Sequence, residues 1–224
     1  MATVESSDQY RGYVIKGTTM LLMHSAKLAD PDDPEVEAFR ALIDERKRKG
    51  SDRKVLGEQI RRLEWQLAMY HDPDFGPYID GRNIKAAIRD AAKAEKMGSH
   101  VTKFVSVKTD RCYLLYDGPR DVDGMWERAG DFVDIRAVAV QKARTMRVRP
   151  KFKDWSMRFV VRFKRDSMNP DDLDKFIADA GWVGVGDGRA IDCGQFKIDA
   201  IHGSPTDEQI IDPYHDVRRK LRVR

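Results

Sequence analysis

Residues 77–96 read PYIDGRNIKAAIRDAAKAEK, a turn that opens into a helix with chemically segregated faces. At about 100° per residue, Ile84, Ala87, Ile88 and Ala91 fall on one side, and Lys85, Arg89, Lys93 and Lys96 form a stripe beside them. The apolar side is rich in alanine, so the helix is predicted to lie close on a sheet. Gly81 leaves the entering backbone without a Cβ. The neighbouring stripe presents four cations.

Towards the N-terminus, two further helical patterns precede this one. Val36, Phe39, Leu42 and Ile43 mark the first, and Leu56, Ile60, Leu63, Leu67 and Tyr70 mark the second, with Gly50, Ser51 and Asp52 as the turn and cap between them. The acids of DPDDPEVE at 30–37 read as a cap. Asp33 stands before a proline at the first helical position, and Glu35 and Glu37 sit at the positive end of the helix dipole. Residues 13–23, YVIKGTTMLLM, are β-rich and apolar and predict the first strand.

Towards the C-terminus, 101–108 alternates and 112–116 is a short apolar run closed by Asp117, Gly118 and Pro119; the two are predicted to pair as a hairpin. Strands at 132–141, 144–149 and 155–163 would make this region all β. In RVRPKFK, residues 147–153, a cation alternates with an apolar residue or proline, so Arg147, Arg149, Lys151 and Lys153 share one face of an extended strand, with Arg144 just ahead. Phe152 and Trp155 read as core; stacking beside the cations is the alternative. Asn169 starts a helix that carries Leu173, Phe176, Ile177 and Ala180 and stops at Gly181. A glycine-dense loop follows, with Gly184, Gly186, Gly188 and its one cation, Arg189, and leads to a last strand at 194–198. A dinucleotide-binding fold needs strand, loop, then helix; here the order is helix, loop, strand, which excludes it.

Length and composition allow one domain of 224 residues with a sizeable core. No apolar run approaches the roughly 20 residues needed to cross a bilayer, and the N-terminus lacks a basic-then-apolar leader, so a soluble, cytoplasmic protein without a membrane partner is expected. The two cysteines, Cys112 and Cys193, have no metal-binding spacing and read as buried thiols; no cofactor or metal is expected. Net charge is +4, but it is unevenly placed. Residues 142–165 hold ten Lys/Arg against one acid, Asp154, while the rest of the chain has 31 bases and 36 acids. A local cationic segment on an otherwise acidic chain is the footprint of a polyanion partner.

The 79–89 segment resembles the I-P-G-S-S-L-K-G-A-L-R signature of the RAMP superfamily, the RNA-binding proteins of CRISPR systems, at Ile79, Gly81, Ile84, Lys85, Ala87, Ile88 and Arg89. Asp80 replaces the usual proline, and Arg82 and Asn83 replace the serine pair, which implies a divergent branch, for which a phage-encoded relative is one reading. Residues 17–22, GTTMLL, resemble the G-x-T-P-L-L ending of the family's first strand, and the loop around Gly184, Gly186 and Gly188 resembles its C-terminal glycine-rich loop. The resemblance implies an α+β fold with a ferredoxin-like (RRM-like) β-α-β-β-α-β core and extra strands. Residues 1–12 would be a lead-in, 13–203 the core domain with a helical-hairpin insertion at about 30–72, and 204–224 a basic tail ending RRKLRVR.

These readings converge on non-catalytic binding of single-stranded RNA or DNA. Lys85, Arg89, Arg144, Arg147, Arg149, Lys151, Lys153 and Arg189 would hold phosphates, and Gly184, Gly186 and Gly188 would let the backbone approach them closely. The resemblance to CRISPR backbone subunits also implies a homo-oligomer repeating along the strand, with the hairpin contacting the next copy. The first alternative is a RAMP-type ribonuclease with His24 after the first strand, or with an aspartate among Asp30, Asp32 and Asp33. The second is a phage protein that acts on CRISPR complexes.

Overall fold

In the computed structural model, which describes residues 7–140 and 143–203, the chain begins with the ten-residue strand β1 (Asp8–Gly17) and the short β2 (Leu21–Leu22). The single strand expected at 13–23 is therefore two strands. It breaks at Gly17, where a Cβ would lie 2.3 Å from the Trp155 ring, and the chain bends round that indole, whose Nε1 donates to the Thr19 carbonyl at 2.9 Å.

Helices α1 (Pro34–Lys47) and α2 (Arg53–Leu67) follow as the predicted hairpin. Asp33 caps the first by accepting from the Glu35 and Val36 amides, and Asp52 caps the second through Lys54 and Val55. Strands β3 (His71–Asp72) and β4 (Gly76–Asp80) then lead into α3 (Gly81–Ala92), the helix on which the sequence reading turned. Asp80 is its N-cap: the carboxylate accepts from the Arg82 amide at 2.8 Å.

The next stretch differs from expectation. Residues 98–104 form a helix, α4 (Gly98–Phe104), and only β5 (Val105–Val107) is strand. Over so short a window, valines at 101, 105 and 107 fit either period. Strand β6 (Arg111–Tyr113) pairs with β4, not with its expected neighbour, because Tyr113 (3.0 Å) and Arg111 both bind the buried Asp72 at the end of β3. Two short helices, α5 (Val122–Glu127) and α6 (Ala129–Phe132), break the region read as all β. After them come β7 (Val133–Val140), β8 (Ala143–Phe152), β9 (Ser156–Lys164), α7 (Pro170–Val183) and β10 (Phe196–Gly203). The basic C-terminal tail lies outside the described residues.

The main sheet has the order β10-β1-β9-β5, and every neighbouring pair is antiparallel. Consequently β1 runs in the same direction as β5, and β9 in the same direction as β10, so each of these pairs needs a crossover. Helix α3 lies in the first crossover and α7 in the second, and the two pack against each other. Ile84, Ala87, Ile88 and Ala91 of α3 and Leu173, Phe176, Ile177 and Ala180 of α7 share one core with Tyr13, Ile15, Phe159, Val161 and Phe163 of the sheet. At about 2 kcal/mol for each large side chain taken from water, this burial fixes both helices on the sheet without help from their polar faces.

A second sheet, β2-β8-β7, and a third, β3-β4-β6, extend the molecule. The hairpin packs on β8 through α2, whose Trp65 is fully buried and donates from Nε1 to the Phe132 carbonyl at 3.0 Å. Helix α1 packs chiefly on α2 and buries only Val36. Phe152 and Trp155 are 1% and 2% exposed, so both are core rather than stacking platforms. Among the described residues no helix is long and apolar enough to cross a membrane.

Candidate nucleic-acid interface

The cationic stripe of α3 ends at one carboxylate. Arg89 reaches Asp90 at 3.0 Å and Lys93 at 2.7 Å, and Arg189 arrives from the glycine-rich loop, 99 positions away, at 3.4 Å. Burial raises the Asp90 pKa, but the hydrogen bonds from Lys93 and Arg89 outweigh it and hold the carboxyl below its usual range. Three cations around one anion leave an excess of positive charge on this edge. Lys85, one turn earlier on the same helix, donates to the Thr102 carbonyl of α4 at 3.2 Å. The side chains of Arg89 and Arg189 remain 43% and 42% exposed.

The glycines of the loop are explained first by packing. Gly184, Gly186 and Gly188 have φ of 81°, 77° and 74°, in the left-handed region. A Cβ on Gly186 would stand 2.4 Å from the Leu22 carbonyl oxygen, so the loop lies directly on β2. Most amides are used internally: Gly184 donates to Ala180 and Asp187 to Leu22, while the Gly188 amide is held by the Asp187 carboxylate. The Gly186 amide forms no hydrogen bond among the described residues.

The β8 cations fall into three environments. Arg144 is exposed and has no ion pair among the described residues. Arg147 stands 3.9 Å from Glu64 of α2; Lys151 donates to the Gly130 carbonyl at 3.0 Å; Lys153 lies 3.7 Å from Asp131. Arg149 is different. It does share the strand face with Arg147 and Lys151, but it is only 3% exposed, with its guanidinium between Asp187 of the glycine loop (2.8 Å) and Asp134 of β7 (3.1 Å). Its geometry is that of a strut tying β8 to the loop.

Beside this strut a small cavity of about 130 Å³ is lined by His24, Tyr70, Asn83 and Asp187. Burial lowers the His24 pKa; Asp187 opposes this, and Arg147 and Arg149 add to it. Asp187 lies below its usual range because the hydrogen bond from Arg149 and the Gly188 amide outweigh its burial. Asp33 is occupied as a cap, and Asp30 accepts from the Asp32 amide at 3.1 Å. Cys112 and Cys193 are buried, and burial raises both thiols. Among the described residues no cluster of three His, Cys, Asp or Glu suits a metal ion.

Three features escaped the sequence reading. Asp90 is the point where helix and loop meet, but nothing in its spacing marks it. Tyr70 and Asn83 join His24 only through tertiary packing. Trp182, in the last turn of α7, is 81% exposed, with its carbonyl accepting from Gln195 Nε2 at 3.1 Å. A tryptophan inside a glycine-dense loop was the available signal for it.

No protein-family model and no curated protein sequence matches the chain. Among solved structures, it is similar to a chain of the cryo-EM structure of the Type III-B Cmr-beta bound to cognate target RNA. The TM-score is 0.48 and the identity 14%, over 88% of this chain and 61% of that one. This chain therefore spans less than two thirds of the length of that neighbour.

Proposed function

We propose that the chain binds single-stranded nucleic acid, RNA or DNA, through its phosphates and without cleaving it, on a ferredoxin-like core of the RAMP type found in CRISPR effector complexes. The order β10-β1-β9-β5, with α3 and α7 as the two crossovers, supports that core. The observation that carries the functional reading is the meeting of Arg89, Lys93 and Arg189 at Asp90, which makes one cationic edge of the helix and the glycine loop.

In this reading Lys85, Arg89 and Arg189 hold successive phosphates, and the Gly186 amide adds a backbone donor while Gly184 and Gly188 shape the loop. Arg144, Arg147, Lys151 and Lys153 extend the track along β8, and Arg149 positions the loop from within. Trp182 offers a base a stacking face. No cofactor is required. Repetition of the protein along the strand belongs to the same reading, supported by a hairpin whose first helix leaves most of its surface exposed.

The test is binding of labelled oligo(U) and oligo(dT) across a salt series. Each phosphate contact contributes about −0.7 to the slope of log affinity against log salt, so three to five contacts give about −2 to −3.5, with little dependence on sequence. A slope near zero, or a preference for duplex, overturns the reading.

The cavity containing His24 favours one second reading, metal-independent RNA cleavage with His24 as general base and Tyr70 beside it. Incubation of labelled RNA in chelator decides between the two. Intact RNA is the expected outcome; cleavage that disappears in His24→Ala would establish the second reading.

A further inference from the structure

A groove of about 570 Å³ lies between the helical hairpin and β7, on residues outside the interface proposed above. Its walls are strongly basic: Arg46 from the last turns of α1, and Arg53, Lys54 and Arg61 from α2. The spacing of 54, 57, 58 and 61 puts these positions on one side of α2. Glu58 is the single acid lining the groove. None of the four cations has an ion pair among the described residues, whereas nearby acids are engaged elsewhere, Asp44 by Lys47 and Asp123 by Arg62.

Two details set this groove apart from a merely solvated helix surface. Arg53 and Lys54 occupy the first turn of α2, where the Asp52 carboxylate is committed to the Lys54 and Val55 amides and forms an ion pair with neither cation among the described residues. The Arg46 guanidinium lies over the buried Gly57, 3.5 Å from where a Cβ would be, and is thereby held at the groove wall. The floor supplies what phosphate chemistry alone does not need. Trp126 is half-buried, with its ring braced by the fully buried Trp65 at a centroid distance of 5.4 Å, and Ile135 is 44% exposed beside it.

Unpaired cations along the walls and an apolar aromatic floor match a ligand with regularly spaced anions and flat apolar groups. We propose that this groove is a second binding site for single-stranded nucleic acid, with Arg46, Arg53, Lys54 and Arg61 on phosphates and Trp126 under a base. It is independent of the α3 edge. An acidic peptide would satisfy the walls but would leave the aromatic floor without a matching partner.

The experiment titrates the full chain with a labelled eight-nucleotide oligo(U) and, separately, with a poly-glutamate peptide. It compares wild type, Arg53→Glu/Lys54→Glu, and Arg89→Glu/Arg189→Glu. Arg53 and Lys54 are exposed, so the groove variant is expected to melt with the wild type. Oligo(U) is expected to bind at two per chain in the wild type and at one per chain in either variant, with the combined variant showing no measurable binding. Loss of both sites in Arg89→Glu/Arg189→Glu alone, with Arg53→Glu/Lys54→Glu binding like wild type, overturns the groove and leaves the α3 edge standing. Loss confined to Arg53→Glu/Lys54→Glu sinks the α3 edge and keeps the groove. Unchanged oligo(U) binding, with poly-glutamate lost from the groove variant, assigns the groove to an acidic protein segment and overturns the proposal.

Discussion

Gly81→Ala should melt well below the wild type. A Cβ at this position would lie 2.2 Å from the Thr109 carbonyl oxygen, a backbone atom that no side-chain rotation can move. Thr109 is itself fully buried, and its hydroxyl accepts from the Val160 amide of β9 at 2.9 Å. The Gly81 amide donates to the Asp110 carbonyl at 2.9 Å, which fixes the start of α3 against the same turn. Relief therefore requires moving the start of the helix or the turn between β5 and β6, at a cost of about 3 kcal/mol, the top of the overpacking range. For a domain of this size that is a fall in melting temperature of about 6–12 °C. Gly130→Ala is the control, since a Cβ there meets nothing within 4 Å and should melt with the wild type. If Gly81→Ala melts with Gly130→Ala, the packing described for α3 is incorrect.

The largest functional effect is expected from Arg89→Glu/Arg189→Glu. The pair contributes two of the three cations around Asp90, and its reversal turns a positive edge into three carboxylates facing Lys93. Two charge-assisted contacts at about 1.5 kcal/mol each correspond to roughly a 100-fold loss of affinity for oligo(U) at this edge, read in the Arg53→Glu/Lys54→Glu background so that the groove does not contribute. The salt slope should become shallower by about 1.4, because two phosphate contacts disappear. Arg89→Gln/Arg189→Gln removes charge without reversing it and should fall between. An unchanged slope in the Glu variant would mean that these arginines do not touch phosphate.

What the sequence made legible was local. Alanine and isoleucine at helical spacing located the buried side of α3, a glycine before it located a close approach, and Asp33, Asp52 and Asn169 located helix starts as caps. What it hid was decided between distant segments. Arg111 and Tyr113 choose β4 as a partner because Asp72 is there to bind them, and no periodicity encodes that choice. Strand alternation put Arg149 on the same face as Arg147 and Lys151, which is where it lies; the carboxylates that cover it come from β7 and the glycine loop, 15 and 38 positions away. The candidate edge was half visible for the same reason: the stripe on α3 could be counted from spacing, but its meeting with Arg189 at Asp90 is a tertiary contact.

The most direct measurement is photo-crosslinking of a 4-thiouridine-substituted oligo(U) to the wild-type chain, with the modified peptides identified by mass spectrometry. An interface at α3 and the glycine loop predicts crosslinks within residues 82–96 and 182–192, lost together in Arg89→Glu/Arg189→Glu. Crosslinks confined to other segments, with both of these peptides unmodified, would contradict it.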